Sequence, residues 1–368
     1  MAARGGFPVK HWHETAEILE RVKNLLGAGV RAAIATVVRI SGSAYRRPGA
    51  KFLVAEDGST AGGVSGGCLE TDVRAIALEV ARDGAPRLLH YETGSDEETL
   101  WGLGLGCEGA VDVFVQPAGG ELVSGAGARI LESIAAAGPF AVCTVVEGEG
   151  AGRSLVLAGG KLSGATGAPE LDRAAAELAA QLVESGESRL DQLAGRSVFI
   201  DVLRPPPALV VFGAGDDARP LAALAAQAGF EVTVVDHRRA FLTPERFPPP
   251  ARLLLRRAED GLDGLAFSRR HFAVVQTHAL QHDRDWLRAL LAQPLAYLGL
   301  LGPRTRKEQI LRQLGTDQPD KLFAPVGLDL AADGPEQVAV SIVAEMLAVN
   351  AGREPGHLRA KRRGIHEG

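Results

Sequence analysis

Cysteine is scarce: Cys68, Cys107 and Cys143 are the only three in 368 residues. So few thiols cannot form a disulfide framework, and a reducing, cytoplasmic location is the expectation. Aromatic residues make up 5% of the chain, which argues against a stacking platform for nucleic acid. Neither sign of charge dominates, since 40 Lys and Arg stand against 45 Asp and Glu for a formal net charge of −5. No positive field therefore draws nucleic acid or an anionic membrane. Long apolar runs are missing as well. A membrane span needs roughly 18 uninterrupted apolar residues, and the nearest approach, Leu290 to Leu301, is broken by Gln293 and Pro294. The opening Met1 to Pro8 lacks the apolar core and small-residue cleavage site of a secretion signal.

What is present is ordinary core-forming material, 46% hydrophobic and 23% charged, with 45 glycines for tight turns and backbone-rich loops. The length suits about two domains. The clearest boundary is Arg204-Pro205-Pro206-Pro207, because proline lacks a backbone donor and continues neither a helix nor a central strand. The expected division is an α+β domain over 1–204, a linker at 205–207, a Rossmann-like parallel-sheet domain over 208–352 and a basic tail over 353–368. The fold class is thus α/β. After the linker, short apolar strands at Leu209–Phe212, Glu231–Val235, Arg252–Leu255, Phe272–Gln276 and Tyr297–Leu301 alternate with helical stretches, as in a sheet with crossover helices. Before it, helices at Glu14–Leu26 and Glu70–Ala81 mix with strands at Ala32–Ile40, Lys51–Val54, Leu88–Tyr91 and Val111–Gln116, and a further helix–strand group runs from Gly127 to Val202. No repeat of 20–50 residues is visible.

The first strand after the linker runs into Gly213-Ala-Gly215-Asp216-Asp217-Ala218 and then a helix, the context a dinucleotide fingerprint requires. Gly213 suits the tight turn, Gly215 the approach of a phosphate and Ala218 close helix packing. Asp236 ends the second strand near the spacing of a ribose-binding acid. Asp216 and Asp217 would oppose a phosphate there, and their structural use would be to cap the helix. His278 and His282 have i, i+4 spacing with no third metal ligand nearby, and Gly299-Leu-Leu-Gly302-Pro303-Arg304 follows the fifth strand. Arg304 and Arg306 could fork onto a phosphate or lie solvated at a helix start. Asp329 reads as a turn acid or a ligand contact.

Before the linker, two glycine loops each carry one cysteine: Gly62-Gly63-Val-Ser65-Gly66-Gly67-Cys68-Leu-Glu70, and Trp101-Gly-Leu-Gly-Leu-Gly106-Cys107-Glu-Gly109. Consecutive N–H groups in such loops can form an anion nest, whose positive field would favour a thiolate. The alternative is that both thiols are small buried hydrophobes. Cys143, in the strand-like Phe140–Val146, reads as core. A third loop, Ser41 to Gly49, carries Arg46 and Arg47, which could hold a phosphate or carboxylate.

Taken in order, Gly42-Ser43-Ala-Tyr-Arg-Arg-Pro48-Gly49-Ala-Lys51, Ser65-Gly66-Gly67-Cys68-Leu-Glu70, the Gly106-Cys107 loop, the Gly213 turn, Gly299-Leu-Leu-Gly302 and Gly327-Leu-Asp329 through Glu345 resemble the xanthine dehydrogenase accessory family, XdhC/CoxI. The resemblance implies a maturation factor that binds molybdenum cofactor (molybdopterin), assists its sulfuration with a cysteine desulfurase and delivers it to a molybdenum hydroxylase of the xanthine or carbon monoxide dehydrogenase type. On that reading the cofactor-binding positions are Arg46, Ser65, Gly66, Gly67, Cys68, Gly106, Cys107, Gly213, Gly215, Asp236, His278, Gly302 and Arg304. Cys68 and Cys107 are the candidate molybdenum contacts or sulfur carriers, in a cleft facing both halves. Asp216 stands where many relatives have His, and Pro303 where Ser is common. A homodimer is a separate expectation. The alternative of a different class is an NAD(P)-dependent oxidoreductase using Gly213 to Asp236, although no Tyr-x-x-x-Lys pair accompanies it. A third is a scaffold that joins desulfurase and client without cargo.

Overall fold

The computed structural model describes residues 11–42, 46–93, 109–119 and 125–360. The chain divides into two compact units, one of Met1–Pro205 with His357–Gly368 and one of Pro206–Gly356. The break falls inside the three-proline run.

The first unit opens with α1 (His11–Gly27), β1 (Ala32–Gly42), β2 (Lys51–Ala55), β3 (Thr60–Gly62), α2 (Glu70–Asp83), β4 (Arg87–Thr93) and β5 (Gly109–Pro117). It then continues through α3 (Gly127–Ala135), β6 (Phe140–Glu147), β7 (Ser154–Ala158), β8 (Lys161–Gly164), α4 (Pro169–Ser185), β9 (Arg189–Leu193) and β10 (Arg196–Leu203). These are two copies of one pattern. The sheets have strand orders β3-β2-β1-β5-β4 and β8-β7-β6-β10-β9, each antiparallel throughout, with a helix leaving the third strand in both. The repeat is about 108 residues long, from Ala32 to Phe140, well beyond the window in which short solenoid repeats occur.

Each central strand is apolar on both faces because each is covered on both. Along β1, Ala33, Ala35 and Val37 pack under α2, while Val38 on the opposite face meets Phe114, Val146 and Phe199. Along β10, Val198, Ile200 and Val202 pack under α4, and Phe199 and Leu203 point the other way. Period-two alternation thus builds four layers, helix, sheet, sheet and helix. The helices α1 and α3 close the rim through Trp12, Leu19 and Ile130. Cys143 lies on the α4 face, fully buried, and burial pushes its thiol up to about 12, so it is the core residue its strand context suggested.

The second unit contains β11 (Ala208–Phe212), α5 (Ala218–Gln227), β12 (Glu231–Asp236), β13 (Arg252–Leu255), β14 (His271–Val275), α6 (Leu280–Leu291), β15 (Tyr297–Leu300), α7 (Arg304–Leu314), β16 (Leu322–Phe323) and α8 (Pro335–Ala351). Its sheet is parallel, in the order β13-β12-β11-β14-β15-β16. This is the doubly wound Rossmann arrangement. Leu209 and Val211 face α5 and α8, while Val210 and Phe212 face α6 and α7. Element ends differ from the sequence reading by at most three residues, and a sixth strand, only two residues long, was too short to announce itself.

Candidate functional site

Strand pairing fixes where the loops of the first unit emerge. Gly42 at the end of β1 pairs with Gly109 at the start of β5, and Gly109 pairs with Thr93 at the end of β4. Gly62 at the end of β3 pairs with Phe52 beside the start of β2. Connections 43–50, 63–69 and 94–108 therefore all leave the same end of one sheet. They are the three loops that the sequence marks by Arg46, Cys68 and Cys107. Gly106 and Cys107 lie outside the described residues.

The Cys68 loop is held by the helix it feeds. The Glu70 carboxylate accepts the Val64 and Ser65 N–H groups at 3.2 and 2.8 Å and the Ser65 hydroxyl through its second oxygen. Ser65 Oγ in turn accepts the Gly67 and Leu69 N–H groups at 3.2 and 3.0 Å. Burial would raise the Glu70 pKa, but these donors outweigh it and hold the carboxyl below its ordinary value. The loop thus carries its own anion and leaves Gly66, Gly67 and the free thiol of Cys68 exposed. Arg46 is paired to Glu14 of α1, whose Oε1 also accepts the Lys51 N–H at 3.3 Å.

Two charged clusters at this end of the unit escaped the sequence reading. Lys51 Nζ lies 2.6 Å from Asp201 Oδ2 and His11 Nε2 lies 3.3 Å from Asp201 Oδ1. Burial would raise the Asp201 pKa, but Lys51 and His11 overcome it and hold the carboxyl far below its usual range. Asp112 is also buried. It accepts Arg39 Nε at 2.8 Å and pairs with His90, whose pKa is raised by that hydrogen bond and by Glu92. The available signal was a lone acid inside an apolar strand, Val-Phe-Ile-Asp201-Val and Ala-Val-Asp112-Val, since a buried carboxylate needs a partner.

In the second unit Gly213 has φ +111°, and a Cβ there would come within 2.5 Å of the Gln276 carbonyl, so the turn admits only glycine. Asp236 is buried, and both its oxygens are taken: Oδ2 accepts the Ala214 N–H at 2.7 Å and Arg238 Nη2 at 2.8 Å, and Oδ1 accepts the Arg238 N–H and Nε at 2.8 and 2.9 Å. Desolvation would raise its pKa, and the Arg238 fork with the two backbone donors lowers it to about 2. The expected helix caps are not formed. Asp217 occupies the N-cap of α5 without a side-chain capping bond, and its carboxylate meets His278 Nε2 at 2.9 Å instead. Asp216 pairs with Arg246 at 3.0 Å. Both acids find cations outside the helix, which satisfies them better than exposed N–H groups.

His278 is not on a helix. It precedes α6, which starts at Leu280, and has φ +59°, an uncommon conformation for a non-glycine residue. His282 packs its ring on His237, 4.9 Å between centroids, and no group of three metal-ligating side chains exists among the described residues. A cleft of about 360 Å³ opens at the carboxyl ends of β14, β15 and β16, lined by His278, Gly302, Arg306 and Ser341 together with apolar side chains. Gly302 has φ +142°, and a Cβ there would sit 2.8 Å from Arg306 Cδ. Arg306 is aimed by the fully buried Asp283, 2.5 Å away, which also accepts the Thr277 N–H and hydroxyl at 3.0 and 2.6 Å. Arg304 opens α7 and is exposed, and a Cβ placed on Gly215 would meet the His278 ring at ordinary contact distance. On the far side Glu345 ties Tyr297 and the Gly327 N–H together at 2.5 and 2.9 Å.

The chain thus joins a four-layer unit with two like sheets, bearing an exposed thiol on a glycine loop, to a Rossmann unit whose Asp236 is satisfied by its own chain. Residues 25–92 match the XdhC and CoxI family and residues 209–346 match the XdhC Rossmann domain. The chain belongs to the XdhC and CoxI family. It is 34% identical over 320 residues to a probable xanthine dehydrogenase subunit of Bacillus subtilis (strain 168), covering 86% of this chain and 92% of that protein. It is also 37% identical over 95 residues to the molybdenum cofactor insertion chaperone PaoD of Escherichia coli (strain K12), 23% of this chain and 30% of PaoD. The crystal structure of a xanthine dehydrogenase from Bacillus halodurans superposes with a TM-score of 0.76 at 28% identity, covering 94% of this chain and 98% of that one. No helix among the described residues is long and apolar enough to cross a membrane.

Proposed function

We propose that this protein is an accessory factor for a molybdenum hydroxylase: it binds molybdenum cofactor, assists its sulfuration and delivers it to the client. The observation that carries this reading is the pairing of near full-length family likeness with the exposed Cys68 on its self-held glycine loop, while the buried Cys143 is inert. Molybdopterin offers a phosphate and a dithiolene with its metal. A carrier therefore needs donors for the first and a soft, accessible group for the second. Cys68 supplies a thiol free to ligate the metal or to accept sulfur, and the backbone of Gly66 and Gly67 gives close approach. Because Glu70 has already satisfied the inner donors, the loop keeps its shape when cargo leaves, as a carrier requires.

Sulfur would come from a cysteine desulfurase, and the client is of the xanthine or carbon monoxide dehydrogenase type. The Trp101-Gly-Leu-Gly-Leu-Gly106-Cys107 stretch inclines toward the latter. A cytoplasmic homodimer is the assembly we expect. A nicotinamide reading gains nothing from the glycine turn, because the acid that should hold a ribose is already forked by Arg238. The test is cofactor analysis of protein isolated from molybdenum-replete cells. The parent and a Cys143→Ala variant should carry pterin and molybdenum, while Cys68→Ala or Cys107→Ala should lose most of it. Absence of pterin and molybdenum from the parent would sink the proposal, and equal cofactor content in all four proteins would remove the two cysteines from it.

A further inference from the structure

The two halves of the Rossmann sheet edge differ in what they leave open. On the β11 and β12 side, the place of a dinucleotide's ribose and pyrophosphate is filled by the chain itself. Asp236 holds the Ala214 N–H of the glycine turn and the Arg238 fork, and Asp216 and Asp217 put two carboxylates at the start of α5. On the β14 to β16 side the edge opens into the cleft of about 360 Å³, at the small end of the range for small-molecule sites.

The cleft's walls are chemically uneven. Leu301, Pro303, Pro325, Val326, Leu328 and Val338 give apolar faces suited to a flat ring, and the polar groups are few. Arg306 brings a guanidinium to the wall, its position fixed by buried Asp283 and by the missing side chain of Gly302. His278, which also lines the cleft, is held by Asp217 in a left-handed conformation that non-glycine residues seldom adopt. Such strain concentrates where a side chain must be presented to a ligand. Arg306 and His278 each already have a carboxylate partner, so they can orient an anion without a large net charge, and ring burial must supply much of the affinity.

We infer that this cleft binds a nitrogen heterocycle carrying a single phosphate, with the phosphate between His278 and Arg306 and the ring against the proline-rich wall, and that the dinucleotide half is closed. This deepens the function proposed above, since a pterin monophosphate has this chemistry, and a nucleoside monophosphate shares it.

Calorimetric titration of the full chain separates the cases. Probes are neopterin monophosphate, AMP and CMP, with adenosine, inorganic phosphate and NAD⁺ for comparison. At least one monophosphate should saturate below roughly 1 mM, with adenosine and NAD⁺ at least tenfold weaker. His278→Asn, a residue that tolerates the left-handed backbone, should weaken binding roughly tenfold. Ala332→Phe, which fills the cleft without touching its ionic groups, should abolish it, and both variants should unfold as the parent does. Preference for the pterin assigns the cleft to cargo, and preference for AMP or CMP assigns it to a nucleotide. Either supports the inference. No heat from any monophosphate up to about 10 mM, NAD⁺ binding as well as AMP, or full binding by Ala332→Phe would overturn it. Cofactor retained by a chain that fails these titrations would leave the accessory role standing and remove only the cleft.

Discussion

Glu70 illustrates how one carboxylate can set a whole loop. It accepts from two backbone N–H groups and the Ser65 hydroxyl, so Glu70→Ala leaves three donors without that partner. The expected loss is about 1–3 kcal/mol in denaturant titration, with Cys68 then reacting at a different rate with a thiol reagent. Asp236 gives a pH signature of definite sign. Its pKa in the fold is about 2, against an unfolded value near 4, so its contribution is complete above about pH 4 and fades as pH falls toward 2. That contribution is of order 2 kcal/mol. Asp236→Asn should therefore lower Tm near pH 7 while the gap to the parent narrows at about pH 3, and a gap that stays constant would refute the assignment.

Between elements, one device recurs. A hydroxyl residue at the end of a loop gives both its N–H and its hydroxyl to an acid in the first turns of the next helix: Ser65 to Glu70, Thr166 to Asp172 and Thr277 to Asp283. The first two occupy equivalent places in the two copies of the first unit. There the copies part company, because the second has no thiol in this loop and closes its last hairpin through Ala194 and Gly195, where the first spends 94–108. Between the two sheets lies a cavity of about 50 Å³ whose mostly apolar lining includes Thr15, Thr36, Gln116, Thr144 and Ser154, and the buried Thr15 hydroxyl has no hydrogen-bond partner among the described residues. Most of its lining is apolar, and at this volume it has room for one or two waters at the Thr15 hydroxyl. Thr15→Val should then cost about 1 kcal/mol, whereas a dry cavity would make the same change stabilising.

At the scale of the whole molecule, each unit has its own apolar core. In the second, Phe230, Phe272, Tyr297 and Met346 fill one side of the sheet and Trp286, Leu287 and Ile310 the other. A chain restricted to 206–356 should therefore fold alone and unfold in one cooperative transition by circular dichroism. Non-cooperative melting would show that this core is incomplete.

The Rossmann order and the Gly213 turn were legible in the sequence because β-branched alternation and glycine act locally, within a few residues of where they stand. So was the family, whose motifs keep their order along the chain. Partnership was decided elsewhere. Whether Asp236 meets a ribose or Arg238, whether Asp217 caps a helix or holds His278, and which acids gather around Lys51 depend on atoms brought together from distant parts of the chain. A carboxylate's role follows from its nearest cation and its exposure, and only the packed tertiary structure sets either one.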